Sequence, residues 1–270
     1  MIRALVAGSM FLSIPALGQD TFALPEWVLS AGVPLLAQSE TAPSGWEATI
    51  LLANEITPRY AGSKEYRFEA TPLFDIRYKD IFFISAIEGL GINLSQSKTH
   101  RLGIALSYDL GRSEDAAPIL HGVGGINASP EIKVFADYVV FPIVFRMDVR
   151  QALGGYRGLV TDIASYLPLY ASDNIVAFIG PSITWCNRAT LESYFGISPA
   201  QSAASGLPRY EPSAGLRSAG LGTDVTWTIH DHWILNATGG IQRFTDRTYQ
   251  SPLVQTRIES VLSISGGYAF

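Results

Sequence analysis

Cysteine is nearly missing: Cys186 is the only one in 270 residues. One thiol cannot close an internal disulfide or build a cysteine-rich metal site, so it reads as a plain strand or loop residue. Charge is scarce as well, at 16% of residues against the usual figure of about a quarter. What charge there is leans acidic, with a formal net of −5. A nucleic-acid binder carries a basic face, and this balance excludes nucleic acid as an expected partner. Catalytic signatures are absent too: there is no GxSxG elbow, no HExxH pair and no Walker loop. The glycine-rich HGVGGIN at 121–127 does not join a strand to a helix, so its glycines serve loop turns. No cofactor is implied. Beyond residue 40 no stretch is long and apolar enough to cross a bilayer as a helix, which takes about 20 residues. A membrane location would have to be reached with strands.

The apolar runs that do exist lie at the N-terminus. Arg3 is followed by ALVAGSMFLSIPALG, which ends on Ala16 and Gly18 at the spacing of a leader-peptide cleavage site. A second run, WVLSAGVPLLAQS, reaches Ala37, and Asp20 and Glu26 keep the two apart. The reading is a signal peptide over 1–18, with cleavage as late as 37 left open. A periplasmic segment over 19–44 and a barrel over 45–270 follow it.

Period-2 alternation dominates the rest. In RLGIALSYDLG, Leu102, Ile104, Leu106, Tyr108 and Leu110 share one face, and Gly103, Ala105, Ser107 and Asp109 the other. In YRFEATPLFDIRYK, Tyr66, Phe68, Ala70, Phe74, Ile76 and Tyr78 oppose Arg67, Glu69, Asp75, Arg77 and Lys79. IVFRMDVR sets Ile143, Phe145, Met147 and Val149 against Arg146, Asp148 and Arg150. A soluble β-sandwich and a transmembrane β-barrel both give such alternation. Aromatics near the ends of the apolar faces, small or oppositely charged residues on the other faces, and strands of about ten residues favour the barrel. Its outer surface would touch outer-membrane lipid and lipopolysaccharide.

Single-chain bacterial barrels have an even strand number, with short periplasmic turns and long outer loops. Tight turns near Lys79–Asp80, Ser97–Thr99, Val140–Phe141, Ala171–Asp173 and His230–His232 alternate with long connections near 56–64, 111–128, 151–157, 187–217 and 244–254. The alternation closes only if residues 81–95 form a hairpin turning near Glu88–Gly89. The fold class expected is therefore all-β, an antiparallel barrel of about twelve strands with both termini periplasmic. Ten strands is the fallback.

On this map the polar face points into the lumen and carries Arg67, Glu69, Asp75, Arg77, Lys79, Glu131, Lys133, Asp137, Arg146, Asp148, Arg150, Asp162 and Asp224. Desolvated charges of both signs need one another. A salt-bridged plug is the expected outcome, and a narrow polar pore is the alternative, because charged rings also set selectivity. The longest outer connection holds ESYFGISPAQSAASGLPRY, residues 192–210. Thr190–Phe195 and the segment after Pro199 read as short helices ended by Gly206 and Pro208, the whole segment folding over the barrel mouth. In the cluster His230, Asp231 and His232 the two alternate imidazoles could share a metal on one strand face, but two ligands alone make a poor site. A tight turn followed by an interfacial Trp233 is the preferred reading. An outer-rim lipid hydrolase is a third functional reading. It would have to use His121 with one of Ser193, Ser198, Ser202 or Ser205.

The segments 57–78 (TPRYAGSKEYRFEATPLFDIRY), 148–159 (DVRQALGGYRGL), 193–222 and 231–233 (DHW) resemble the MipA/OmpV family of outer-membrane proteins. The most specific part is the long-loop motif that includes Tyr194, Phe195, Gly196, Ser198, Pro199, Gln201, Ser202, Ser205 and Gly206. The resemblance implies a Gram-negative outer-membrane barrel without a catalytic centre. For the founding member it also implies a scaffold role between a lytic transglycosylase and a murein synthase, other members being porin-like, adhesive or linked to antibiotic response. The C-terminus, Tyr268-Ala269-Phe270, keeps the aromatics used in barrel assembly where the family has Tyr-Arg-Phe.

Overall fold

The computed structural model describes residues 45–79, 81–156, 158–230 and 232–270. The expected leader, the segment 19–44 and Asp231 lie outside the described residues. Twelve antiparallel strands, each bonded to its sequence neighbour and the first to the last, close a barrel. They are β1 (Trp46–Pro58), β2 (Tyr66–Tyr78), β3 (Phe82–Ser85), β4 (Gly89–Gln96), β5 (His100–Asp109), β6 (Ser129–Val140), β7 (Ile143–Ala152), β8 (Leu159–Ala171), β9 (Ile175–Cys186), β10 (Gly215–Ile229), β11 (Trp233–Phe244) and β12 (Ile258–Ala269). The twelve-strand count holds, and the ten-strand fallback is not needed. Closure runs from Thr49↔Ala269 to Ile56↔Leu262, so both ends of the barrel chain lie at the short-turn end.

The alternation is inside-out. Along β5, Leu102, Ile104, Leu106 and Tyr108 are exposed, while Arg101, Gly103, Ala105, Ser107 and Asp109 are buried. The same inversion runs through β6, where Glu131, Lys133 and Asp137 are buried and Ile132, Val134 and Tyr138 are exposed. A soluble protein would leave that outer face in water at a large free-energy cost. A bilayer removes the cost, so the wall is a transmembrane one. Exposed Trp46, Phe82, Phe141, Tyr170 and Trp233 ring the short-turn end, and Tyr66, Tyr108, Trp185 and Tyr249 mark the other, as interfacial girdles do.

The hairpin expected over 81–95 is present, but short: β3 has 4 residues and β4 has 8, beside 13 in β2. Its tip therefore stops partway up the wall instead of reaching the long-loop end. Two glycines on its flank are sites of close approach. A Cβ on Gly103 would lie 2.3 Å from Phe135 Cζ, and one on Gly91 the same distance from Phe83 Cζ. Phe83 and Phe135 turn into the lumen there, packed edge-on at 5.8 Å.

Five long connections meet at the opposite end. Helix α1 (Arg188–Phe195) is capped by Asn187, and α2 (Pro199–Ser205) by a capping box of Ser198 and Gln201, with Gly206 left-handed after it. These are the helices read from the sequence. A single turn, α3 (Asp246–Tyr249), precedes β12. Beneath them Tyr156, Leu191, Tyr194, Phe195 and Phe244 pack together. A second cluster joins Tyr60, Leu120, Val123, Ile197 and Leu253 from four different connections.

Candidate functional site: the charged interior and the capped mouth

The centre of the interior is Glu88, at the hairpin tip. Its carboxylate lies 2.8 Å from Arg77, 3.1 Å from Arg101 and 2.9 Å from Arg146. Asp75 holds Arg77 at 2.6 Å, and Asp137 faces Arg101 at 3.5 Å and Arg146 at 3.6 Å. Three guanidiniums thus meet three carboxylates, and charge balance together with multiple hydrogen bonds is what makes such burial tolerable. Aromatic faces complete the solvation: Arg101 stacks 4.5 Å from the Phe135 centroid and 5.4 Å from that of Phe83. Lys133 Nζ sits 5.9 Å from the Phe135 ring.

A second group lies towards β7 to β9. Arg150 bridges Asp148, at 3.2 Å, and Asp162, and Thr184 donates to Asp162. Glu131 accepts from the Tyr156 hydroxyl at 2.6 Å and from Ser107 at 3.4 Å. Burial and the carboxylates of Asp109 and Glu131 push the Tyr156 phenol up, so this loop tyrosine acts as a donor. Asp224 departs from the salt-bridge expectation: Asn236, Thr238 and Thr226 donate to it at 2.7, 2.7 and 3.1 Å. Neutral donors satisfy a carboxylate at lower desolvation cost than a buried cation would. Arg67 and Glu69 pair at 3.3 Å on β2, less buried than the rest. Lys79 is the correction on that strand. It occupies the turn after β2 with φ 49°, exposed, its Nζ over the Tyr78 ring at 5.3 Å.

Sequence reasoning missed Glu88, Arg101, Arg217 and Glu259. The first was placed at an outer turn. Arg217 and Glu259, both buried, are linked through Gln242 at 3.3 and 3.0 Å. Parity was a usable signal for Glu259, which shares the inward face of β12 with Ser263 and Ser265. Arg217 has the parity of the outward Leu221 and Val225 and turns inward only through the irregularity between Leu216 and Ser218.

The long-loop motif sits on the mouth. The Tyr194 hydroxyl donates to both oxygens of Asp109 at 2.8 Å, and Arg112 donates to the Tyr194 carbonyl at 2.8 Å. Ser251 donates to the Phe195 carbonyl at 2.6 Å, and Gln201 to that of Val123 at 2.6 Å. Tyr194, Phe195 and Gly196 are buried, while Ser198, Pro199 and Gly206 are exposed. The serines cap or brace the helices: Ser198 accepts from Gln201 N, Ser202 donates to Leu207 O, and Ser205 to Gln201 O. His121 is exposed and lies 3.8 Å from Asp115, with no bond to any of these serines among the described contacts. His232 donates to the Ala269 carbonyl at 3.1 Å and stacks on Tyr268 at 5.3 Å. Among the described residues no three His, Cys, Asp or Glu side chains gather as a metal site. Tyr268 and Phe270 pack edge-on at 4.9 Å, and Phe270 N donates to Ala48 O, tying the terminus to β1.

A family model described as MltA-interacting protein MipA matches residues 51–270. The chain is 27% identical over 118 residues to the MltA-interacting protein of Escherichia coli strain K12, covering 44% of this chain and 47% of that one. The figures for the Shigella flexneri protein of the same name are identical. The matched region thus spans about half the length of these curated relatives. Among solved structures, the NanC porin aligns with 81% of this chain and 98% of its own, at 8% identity and a TM-score of 0.46. An outer membrane channel from Pseudomonas putida F1 aligns over 86% and 97%, at 10% identity and a TM-score of 0.42. The chain belongs to the MltA-interacting protein MipA family.

Proposed function

We propose that this protein is a non-enzymatic barrel of the Gram-negative outer membrane that serves as a scaffold for murein-processing enzymes. A lytic transglycosylase and a murein synthase would dock on its short-turn face. The observation that carries this reading is the interior at Glu88. The side chains of Glu88, Arg77, Arg101, Asp137 and Arg146 are between 1% and 5% exposed, and the lumen there is filled by paired charges and two phenylalanines. A barrel so filled is a rigid support with defined turns at one end. The membership in a family described by its interaction with MltA supplies the partner class.

The test is recovery of partners. The protein, tagged and extracted from outer membranes in mild detergent, is expected to bring down a lytic transglycosylase. If none is recovered in repeated extractions, the scaffold reading fails. Reconstitution in a planar bilayer separates the rival: silence agrees with a filled barrel, and discrete salt-dependent steps indicate a channel for small polar solutes.

A further inference from the structure

The lipid-facing wall is not evenly filled. A groove of about 490 Å³ opens on the outside of the barrel between Ile179, Leu221, Ile241, Leu262, Ile56 and Tyr66. Ligand sites have volumes of about 300–1,000 Å³, so this one is large enough to hold a guest. Strand register explains where it lies. Thr223 pairs with Ile179 and with Gly239, Gly239 with Leu262, and Leu262 with Ile56. These residues share one outward row, and its middle position, Gly239, has no side chain. A Cβ there would meet nothing closer than 3.7 Å, so the gap is open space and not a close approach. On the row above, Leu221, Ile241 and Ser260 are neighbours. Tyr66 closes one end: its hydroxyl accepts from Ser260 N and bonds to Ser260 Oγ, both at 3.2 Å.

The groove sits in the half of the wall nearer the long loops. Strand β11 climbs from Trp233, in the short-turn girdle, to Phe244. From Trp233 to Arg243 is about ten residues; at a rise of about 3.3 Å and a tilt of about 40° they cover roughly 25 Å, the height of the apolar band. Arg243 therefore stands at the outer interface, and Gly239 lies roughly 10 Å below it. Arg243 is exposed on the same outward face as Ile241, between Ala219 and Ile258 on the flanking strands. It forms no ion pair among the described residues.

The rim above the groove is basic, in a chain whose net charge is −5. The bordering segments 56–66 and 241–260 carry Arg59, Lys64, Arg243, Arg247 and Arg257 at the surface, against Glu65 and Asp246. Glu259 on the same stretch is buried and faces the lumen. Arg59 is neutralised by Glu65, and Arg257 by Asp246. Arg247 donates only to the carbonyls of Ser213 and Ala214. Lys64, Arg243 and Arg247 remain as excess positive charge at the level of lipid head groups. An apolar groove below and unneutralised cations above fit an anionic lipid. They do not fit a second copy of the chain. A two-fold contact sets one patch against itself, and here it would bring the excess cations of two rims together.

We propose that this groove binds the lipid anchor of lipopolysaccharide, a multiply acylated and diphosphorylated glycolipid, with one acyl chain over Gly239 and a phosphate at Arg243. The inference rests on the outer-membrane location proposed above and not on the scaffold role. Fractionation of cell envelopes tests the location by itself, and the binding comparison tests the groove. The full chain, in detergent micelles, is titrated with diphosphoryl lipid A or, separately, with phosphatidylglycerol, and read by native mass spectrometry. Folding of each variant is checked by heat-modifiable migration. The parent is expected to retain one lipid A. Gly239→Phe, which fills the groove, and Arg243→Ala, which removes the cation, are each expected to lower that affinity at least tenfold. Val134→Phe on β6 and Lys98→Ala at the short-turn end add bulk and remove a charge elsewhere, and are expected to bind as the parent does. Unchanged affinity in Gly239→Phe or in Arg243→Ala would overturn the proposal. So would equal retention of phosphatidylglycerol, or a parent dimer that Gly239→Phe dissociates while lipid binding persists. If Gly239→Phe does not fold, Thr223→Phe fills the groove from the neighbouring strand, with the same outcomes deciding.

Discussion

Glu88 Oε1 accepts from Arg146 Nη2 at 2.9 Å, across 58 residues of sequence. The contact ties the tip of a short hairpin to a strand on the far side of the lumen. It also explains why the hairpin stops where it does. A longer β3–β4 would carry Glu88 up the wall and away from Arg77, Arg101 and Arg146. Replacing Glu88 by Ala leaves three guanidiniums facing only Asp75 and Asp137. Loss of one partner from a buried ion cluster costs about 3–5 kcal/mol. Glu88→Ala is expected to lower the temperature of heat-modifiable migration markedly, and Glu88→Gln to fall in between. A variant as stable as the parent would show that water, not Glu88, neutralises the arginines.

Close packing at Gly103 is a separate matter from charge. Its missing Cβ is the space that the Phe135 ring fills. Gly103→Val therefore forces a clash with the ring or with the Ile92 carbonyl, which would lie 2.5 Å away. Overpacking of this kind costs about 1–3 kcal/mol. Phe135→Leu is expected to recover part of it, because it shortens the side chain at the point of contact. A double variant no more stable than Gly103→Val alone places the conflict at the backbone.

The strand layout was legible in the sequence because alternation is local: each residue's face follows from its neighbour's. Trp46 to Phe270 could be threaded through twelve strands on that signal and on loop parity. Pro199, Gly206 and Pro208 made the cap helices legible in the same local way, while the caps Asn187 and Ser198 were supplied by the structure. Glu88 was not legible. Whether a turn residue faces solvent or lumen depends on hairpin height, and height depends on register between strands, which no local pattern encodes. The same holds for Pro72. In the sequence it merely interrupts β2, and only the missing partner on one side gives it a reason. Asp224 was legible as inward but not as paired with neutral groups, because Asn236 and Thr238 reach it across a strand.

The capped mouth rests on Tyr194 and Asp109. A buried phenol donating to a carboxylate is worth about 1.5–3 kcal/mol, and it pins α1 to the end of β5. Tyr194→Phe keeps the ring packing against Tyr156 at 5.4 Å and removes only the donor. The expected outcome is faster protease cleavage within 187–214 with no change in the heat-modifiable transition of the barrel. Unchanged cleavage would mean that the Arg112 and Ser251 bonds hold the cap alone. Deletion of 192–210 should, on the same reasoning, raise conductance only if the Glu88 layer below is not itself the seal.

The short-turn face is where a periplasmic partner would have to dock, and Phe141 stands out on it. It is 92% exposed, at the β6–β7 turn beside Pro142. A free aromatic in that position can anchor either in the lipid interface or in a partner's pocket, and one substitution separates the two. Aromatic anchors at protein interfaces contribute about 2 kcal/mol or more on truncation to alanine, which is more than tenfold in affinity. Phe141→Ala is expected to reduce recovery of the lytic transglycosylase by that order while barrel assembly and heat-modifiable migration stay as they were. Because the side chain packs against almost nothing within the chain, a loss of stability cannot masquerade as a loss of binding. If recovery is unchanged and only membrane insertion slows, Phe141 belongs to the aromatic girdle with Trp46 and Trp233, and the docking surface must be sought among the charged turns instead.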